Sequence, residues 1–256
     1  MVRKLIAKAG TANLIQVEIT KTWAAITVIK DEQPQTWAWR DNTIKEVDSD
    51  VVYVEQRTFS IDDFNISDLG GLFRAAAGSS GSESGQELQI VDSSAGEVFM
   101  SVSTNPESRT VFFYPDGGLL PTLNFSTAGG IRDGLEDAIG SRTNALEIGI
   151  QSGLGVWLDY PGSNSTTTRR LRTPAVPVTI SERSQSPDLP LFSADRVDPN
   201  AIYEVLSAAR ERGQFNAETR WQVVIDDRER TGTPRMYFSI GNESFQTNLA
   251  GYRVTR

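Results

Sequence analysis

The chain has 256 residues, 38% of them hydrophobic and 9% aromatic with five Trp, a composition that suits packed cores rather than disorder. Its formal net charge of −8 favours solubility and argues against nucleic acid as the main partner. The absence of Cys and His excludes a disulfide framework, a thiolate nucleophile, a Cys/His zinc site and a Ser-His-Asp triad, and no apolar run is long enough to span a membrane.

The chain opens with MVRKLIAKAG, which lacks the apolar stretch and cleavage site of a signal peptide. A cytoplasmic chain fits this start, and so does a chain anchored by a removed N-terminal segment. Val2, Leu5, Ile6 and Ala9 follow helical spacing, and Gly10 can stop the helix. Strands are expected at Ile15 to Thr20, Trp23 to Ile29 and Thr36 to Arg40. In the last of these, TWAWR, alternation puts Trp37 and Trp39 on one face and Arg40 on the other. The pair could form an aromatic platform for a protein, sugar or lipid, or anchor the packing of a sheet on a helix. Trp23 and Trp157, on nearly equivalent strands, read as core.

Asp48-Ser49-Asp50 lacks the glycine and distal glutamate of a calcium loop and reads as a solvated turn. A strand is expected at Val51 to Arg57. A helix then starts near Ile66, capped by Asn65 or Ser67, burying Leu69, Leu72, Phe73 and Ala76 and stopping at Gly78. The polar run GSSGSESG leads to strands at Glu87 to Val91, Val98 to Ser103 and Thr110 to Tyr114.

The second half begins with a helix near Ile131 and strands at Leu146 to Gln151, Val156 to Tyr160, Thr168 to Arg172 and Val176 to Ile180. TTTRRLR reads as an edge strand whose Arg169, Arg170 and Arg172 either meet a partner or anionic ligand or guard the edge against aggregation. Asp198 caps a helix with Pro199 at its first position, and Gly213 suits the left-handed stop. Strands follow at Arg220 to Ile225, Met236 to Ile240 and Phe245 to Leu249. The Asp226-Asp227 pair between two of them reads as a solvated turn.

The phrase FSIDDFNISDLGGLFRAA from Phe59 returns as FSADRVDPNAIYEVLSAA from Phe192, identical at five of 18 positions with its apolar positions in step. Upstream, IQVEI at Ile15 matches LEIGI at Leu146; downstream, LQIV at Leu88 matches WQVV at Trp221. Order kept across separate blocks makes the chain a duplication, 1–129 and 130–256. The extra residues around Thr231, Gly232 and Pro234 lengthen one hairpin. The halves differ in charge: the first has 10 basic and 17 acidic residues, the second 15 and 16. Helices between groups of strands predict α+β copies with antiparallel sheets and helices packed on one sheet face. Asp62 and Asp195, matched in the repeat, read as turn or helix-end residues.

Tandem helix-plus-antiparallel-sheet units of this kind resemble the duplicated architecture of β-lactamase inhibitory proteins and PepSY-type modules. The pattern F-S-x-D…L-x-x-A-A followed by the turn at Tyr114 to Gly118 is similar to uncharacterised extracytoplasmic domains of actinobacterial membrane proteins. The resemblance implies an extracytoplasmic or envelope-associated binding or inhibitory module rather than an enzyme. The expected function is therefore non-enzymatic recognition of a protein or cell-envelope ligand, without cofactor or metal. Trp37, Trp39, Arg169, Arg170 and Arg172 are its candidate contact residues. The alternatives are a carboxylate-based glycan hydrolase, using Asp62 and Asp195 or the Asp226-Asp227 pair, and a structural spacer of a larger envelope protein.

Overall fold

In the computed structural model the first helix, α1 (Val2–Ala9), buries Val2, Leu5 and Ala9 and ends where Gly10 turns left-handed at φ 78°. All residues are described except 50–56, 95–96, 105–108, 185–186, 215, 217 and 255–256. The chain divides into two compact units, Met1–Pro121 and Thr122–Arg256. The register of the repeat had put the boundary at 129/130. Helix α3 (Ala128–Ile139) and the apolar residues leading into it, Leu123 and Phe125, pack in the second unit's core.

In the first unit α1 is followed by β1 (Leu14–Ile19), β2 (Trp23–Lys30), β3 (Gln33–Arg40) and β4 (Thr43–Val47). Helix α2 (Leu69–Ser80) and strands β5 (Glu87–Ser94), β6 (Glu97–Ser103) and β7 (Thr110–Phe113) complete it. The seven strands form one antiparallel sheet in the order β4-β3-β2-β1-β5-β6-β7. Alternate residues of the strands, among them Val17, Ile26, Ile90 and Met100, share one core with Leu5 of α1 and Phe73 of α2.

The second unit repeats this plan. Its main sheet runs β12-β11-β10-β9-β14-β15-β16. These are β9 (Glu147–Gln151), β10 (Gly155–Pro161), β11 (Thr167–Arg172), β12 (Thr179–Arg183), β14 (Trp221–Asp226), β15 (Arg235–Ile240) and β16 (Glu243–Thr247). A small pair, β8 (Asn144–Ala145) with β13 (Phe192–Ser193), sits beside it, and helix α4 (Pro199–Glu211) occupies the place of α2. The two phenylalanines that open the repeated phrase do the same thing in each unit. Phe59 exchanges backbone hydrogen bonds with Leu14, and Phe192 pairs with Ala145. Each is followed by a serine and a short 3-10 turn, residues 61–63 and 194–196.

Several boundaries depart from the sequence reading. Helix α2 starts at Leu69, because the carboxylate of Asp68, not Asn65 or Ser67, accepts a backbone N–H at 2.8 Å from Gly71. It runs through Gly78 and stops at Gly81, which takes the left-handed conformation. Strand β4 was not foreseen: its alternation, TIKEV, holds a single apolar residue toward the core side. The strand expected at Val51 to Arg57 lies, but for Arg57, outside the described residues. TTTRRLR is an inner strand, not an edge, since β12 covers it. No helix among the described residues is long and apolar enough to cross a membrane.

Candidate functional site

The aromatic pair of TWAWR lies in the row that faces the first unit's core. Trp37 stands opposite Ile26 and Trp39 opposite Ala24, and both rings pack against the core while remaining half-exposed. The indole N–H of Trp37 is shut from solvent and has no hydrogen-bond partner. Both rings serve the packing of the core and leave part of their surface exposed.

The three arginines of β11 are separated by alternation onto two faces. Arg170 reaches the end of α3, where its guanidinium donates to the carbonyl of Ala138 at 2.8 Å and to that of Asp137 at 3.3 Å. It thereby satisfies carbonyls that the last helical turn leaves open and places a cation at the negative helix end. Arg172 is 0% exposed. It donates to Asp137 Oδ2 at 2.8 Å, to the carbonyl of Val176 at 2.8 Å and to that of Thr173. Together the two bind β11 to α3.

Arg169, on the opposite face, forms a two-bond fork with Asp159, Nε to Oδ1 at 2.6 Å and Nη2 to Oδ2 at 2.7 Å. Its guanidinium carbon lies 4.9 Å from the centre of the Trp157 ring, whose indole N–H donates to Glu147 at 2.8 Å. Gly149 makes room for that ring: a Cβ there would sit 2.0 Å from Trp157.

The carboxylates expected in solvated turns do not all lie there. Asp226 and Asp227 are 1% and 3% exposed. Asp226 pairs with Arg228, whose guanidinium stacks 3.9 Å from the centre of the Tyr237 ring. Asp227 accepts from the backbone N–H of Thr231 at 2.9 Å and of Gly232 at 2.8 Å, so it folds the long β14–β15 connection onto itself. A turn that must satisfy its own donors draws a carboxylate inward, and spacing alone could not show this. Asp62 is exposed and pairs with Arg3, while Asp195 accepts from the Ser193 hydroxyl. Asp48 is exposed, and Asp50 lies outside the described residues. No group of three acidic side chains among the described residues is placed to hold a metal ion.

Sequence reasoning missed a cleft of about 430 Å³ on the first sheet, on the face away from the core. Three cross-strand rows build it: Trp23–Arg40–Thr43, Ala25–Ala38–Lys45 and Thr27–Thr36–Val47. Small residues in the middle row leave a floor at Ala38. Trp23 and Val47 stand on either side, Arg40 and Lys45 on the rim, and Trp39 borders it from β3. Trp23 thus faces outward, against the expectation that it is core. The signal was the parity of the strand: Ala24, Ile26 and Val28 take the core face, which sends Trp23 to the other.

A pH-sensitive group lies on the same outer face. Burial pushes the carboxyl of Glu18 above its ordinary value, and the nearby charge of Glu87 adds to this. In the second unit burial likewise raises Tyr237, with Glu229 and Asp226 contributing.

No protein-family model matches the chain, and no curated protein matches it. Among solved structures it is similar to a Helicobacter pylori beta clamp in complex with 5-chloroisatin, at 12% identity and a TM-score of 0.19. The match covers 96% of this chain and 59% of that one, so the chain spans less than two thirds of the clamp's length. A superposition that weak bears on neither fold nor function.

Proposed function

We propose that the protein is a non-enzymatic interaction module that recognises a protein or cell-envelope ligand through its sheet surfaces. In this reading the helices of each unit cover one sheet face and leave the other for contact. One observation carries it: the most buried ionisable side chains are committed to holding the fold. Asp159 is engaged by Arg169, Arg172 by Asp137, Asp226 by Arg228 and Asp227 by its own turn. A buried carboxylate held in such bonds is oriented by the fold rather than presented to a substrate. The contact surface then lies on the outer sheet faces, where the two units differ in charge and in side chains. The check is a turnover assay on a glycan panel beside a binding assay on host envelope and protein fractions. Saturable binding without turnover is expected. Turnover that disappears in Asp62→Asn, Asp195→Asn or Asp226→Asn would establish the hydrolase instead.

A further inference from the structure

We infer that a cavity at the start of α1 binds a small amphipathic organic cation, an apolar body that carries an ammonium group. The inference goes beyond the reading of the chain as an interaction module, whose contact surface lies on the outer sheet faces. This cavity lies on the core side of the first sheet. Its volume is about 820 Å³, within the range of sites that take a drug-sized ligand.

The floor is apolar. Ile19 and Ala24 stand opposite each other where β1 turns into β2, and Val2, Ile61 and Phe64 close around them. All five belong to the first unit's core, so the cavity opens into that core. The repeat shows why space is left. In the second unit the matching strand pair sets Val156 opposite Ile150. There Val156 and Phe125 lie over Gly134, where an added Cβ would come within 2.8 Å and 2.7 Å of them. In the first unit an alanine takes the place of that valine. The wall is built from two segments. The backbone N–H of Asn65 donates to the carbonyl of Pro115 at 2.7 Å, and its side-chain amide to that of Asp116 at 3.0 Å. The loop before α2 and the turn after β7 are thus joined.

The rim is acidic. Asp62, Asp63 and Asp116 border the cavity and are exposed. Arg3 also borders it and is paired with Asp62 at 2.5 Å. Asp63 and Asp116 have no ion-pair partner among the described residues. Each accepts a backbone N–H, from Ser60 at 3.3 Å and from Gly118 at 2.8 Å, through one oxygen and leaves the other unbonded. Even with the α-amino group of Met1 counted beside Arg3, three carboxylates face two cations. An apolar acid would meet like charge at this rim. An apolar body with an ammonium group answers floor and rim together.

The test uses the full chain and three probes that share a dansyl body. Dansylcadaverine ends in an ammonium group, its N-acetyl derivative is neutral, and dansyl-6-aminohexanoic acid ends in a carboxylate. Fluorescence titration is expected to show saturable binding of dansylcadaverine, about three- to tenfold tighter than the neutral probe, with the carboxylate probe weakest. Asp63→Asn with Asp116→Asn keeps a side-chain oxygen for each turn and should bring the cation down to the neutral probe's affinity. Ala24→Val, which installs the second unit's residue, should weaken the cationic and neutral probes at least about threefold. Circular dichroism reports whether the variants are folded. Absence of saturable dansylcadaverine binding overturns the inference, and so do equal affinities for the three probes. Binding unchanged in either folded variant places the probe elsewhere and overturns the site. The module reading is checked by capture from envelope and protein fractions, so either can fail alone.

Discussion

Glu18 and the three arginines of β11 show how a side chain's role is set by the face it lands on. Glu18 is half-buried on the first sheet's outer face, and its folded form holds a proton more tightly than the unfolded chain does. A raised carboxyl therefore supports folding fully below its ordinary range, and that support is lost as pH rises through its folded value. Glu18→Gln is expected to stabilise the protein near neutral pH by under about 1 kcal/mol, because the group is partly solvated, and to give no gain at acid pH. Chemical denaturation of both proteins across pH measures this; an equal gain at acid pH would show that the carboxyl is not the cause. For the arginines, the sequence showed a cationic run suited to an edge or a ligand. The fold spends them one by one on Asp159, the end of α3 and Asp137. Nothing local in TTTRRLR reveals this, since each partner lies 10 to 35 residues away.

At the scale of elements, strand pairing tells the two outer faces apart. β9 and β10 pair so that Gly149 stands opposite Trp157, and the indole lies over the glycine. In the first unit the same pair of strands, β1 and β2, sets Glu18 opposite Ala25, and the larger ring stands at the strand's start as Trp23. Gly149→Ala would drive a methyl group into the Trp157 ring and is expected to cost about 1–3 kcal/mol. Adding Trp157→Phe, which shortens the ring, should recover part of that loss, and thermal unfolding of the single and double variants decides it. Helix limits followed the caps. α1 and α4 start and stop where sequence signals put them: Gly10 ends one, and Asp198 with Pro199 starts the other. α2 shifted because Ser, Asn and Asp crowd its start, and the residue that caps is the one whose carboxylate reaches a free N–H.

For the whole molecule, the two units have separate cores and the same strand order, so each has what a domain needs to fold alone. Met1–Pro121 and Thr122–Arg256, produced separately, are each expected to unfold cooperatively. The first, with its acidic excess, should gain more thermal stability from added salt, because salt screens its self-repulsion. Failure of either piece to fold would show that its core depends on the other. The sequence by itself determined the class and most elements and pointed to a duplicated arrangement, because period, caps and turn residues act over a few neighbours and the two halves present them in the same order. Only the tertiary structure decided which carboxylates are buried, which tryptophan faces outward, and that Arg40 and Lys45 rim a cleft on the first sheet's outer face. Those properties depend on which strand lies next to which, and strand neighbours come from distant parts of the chain.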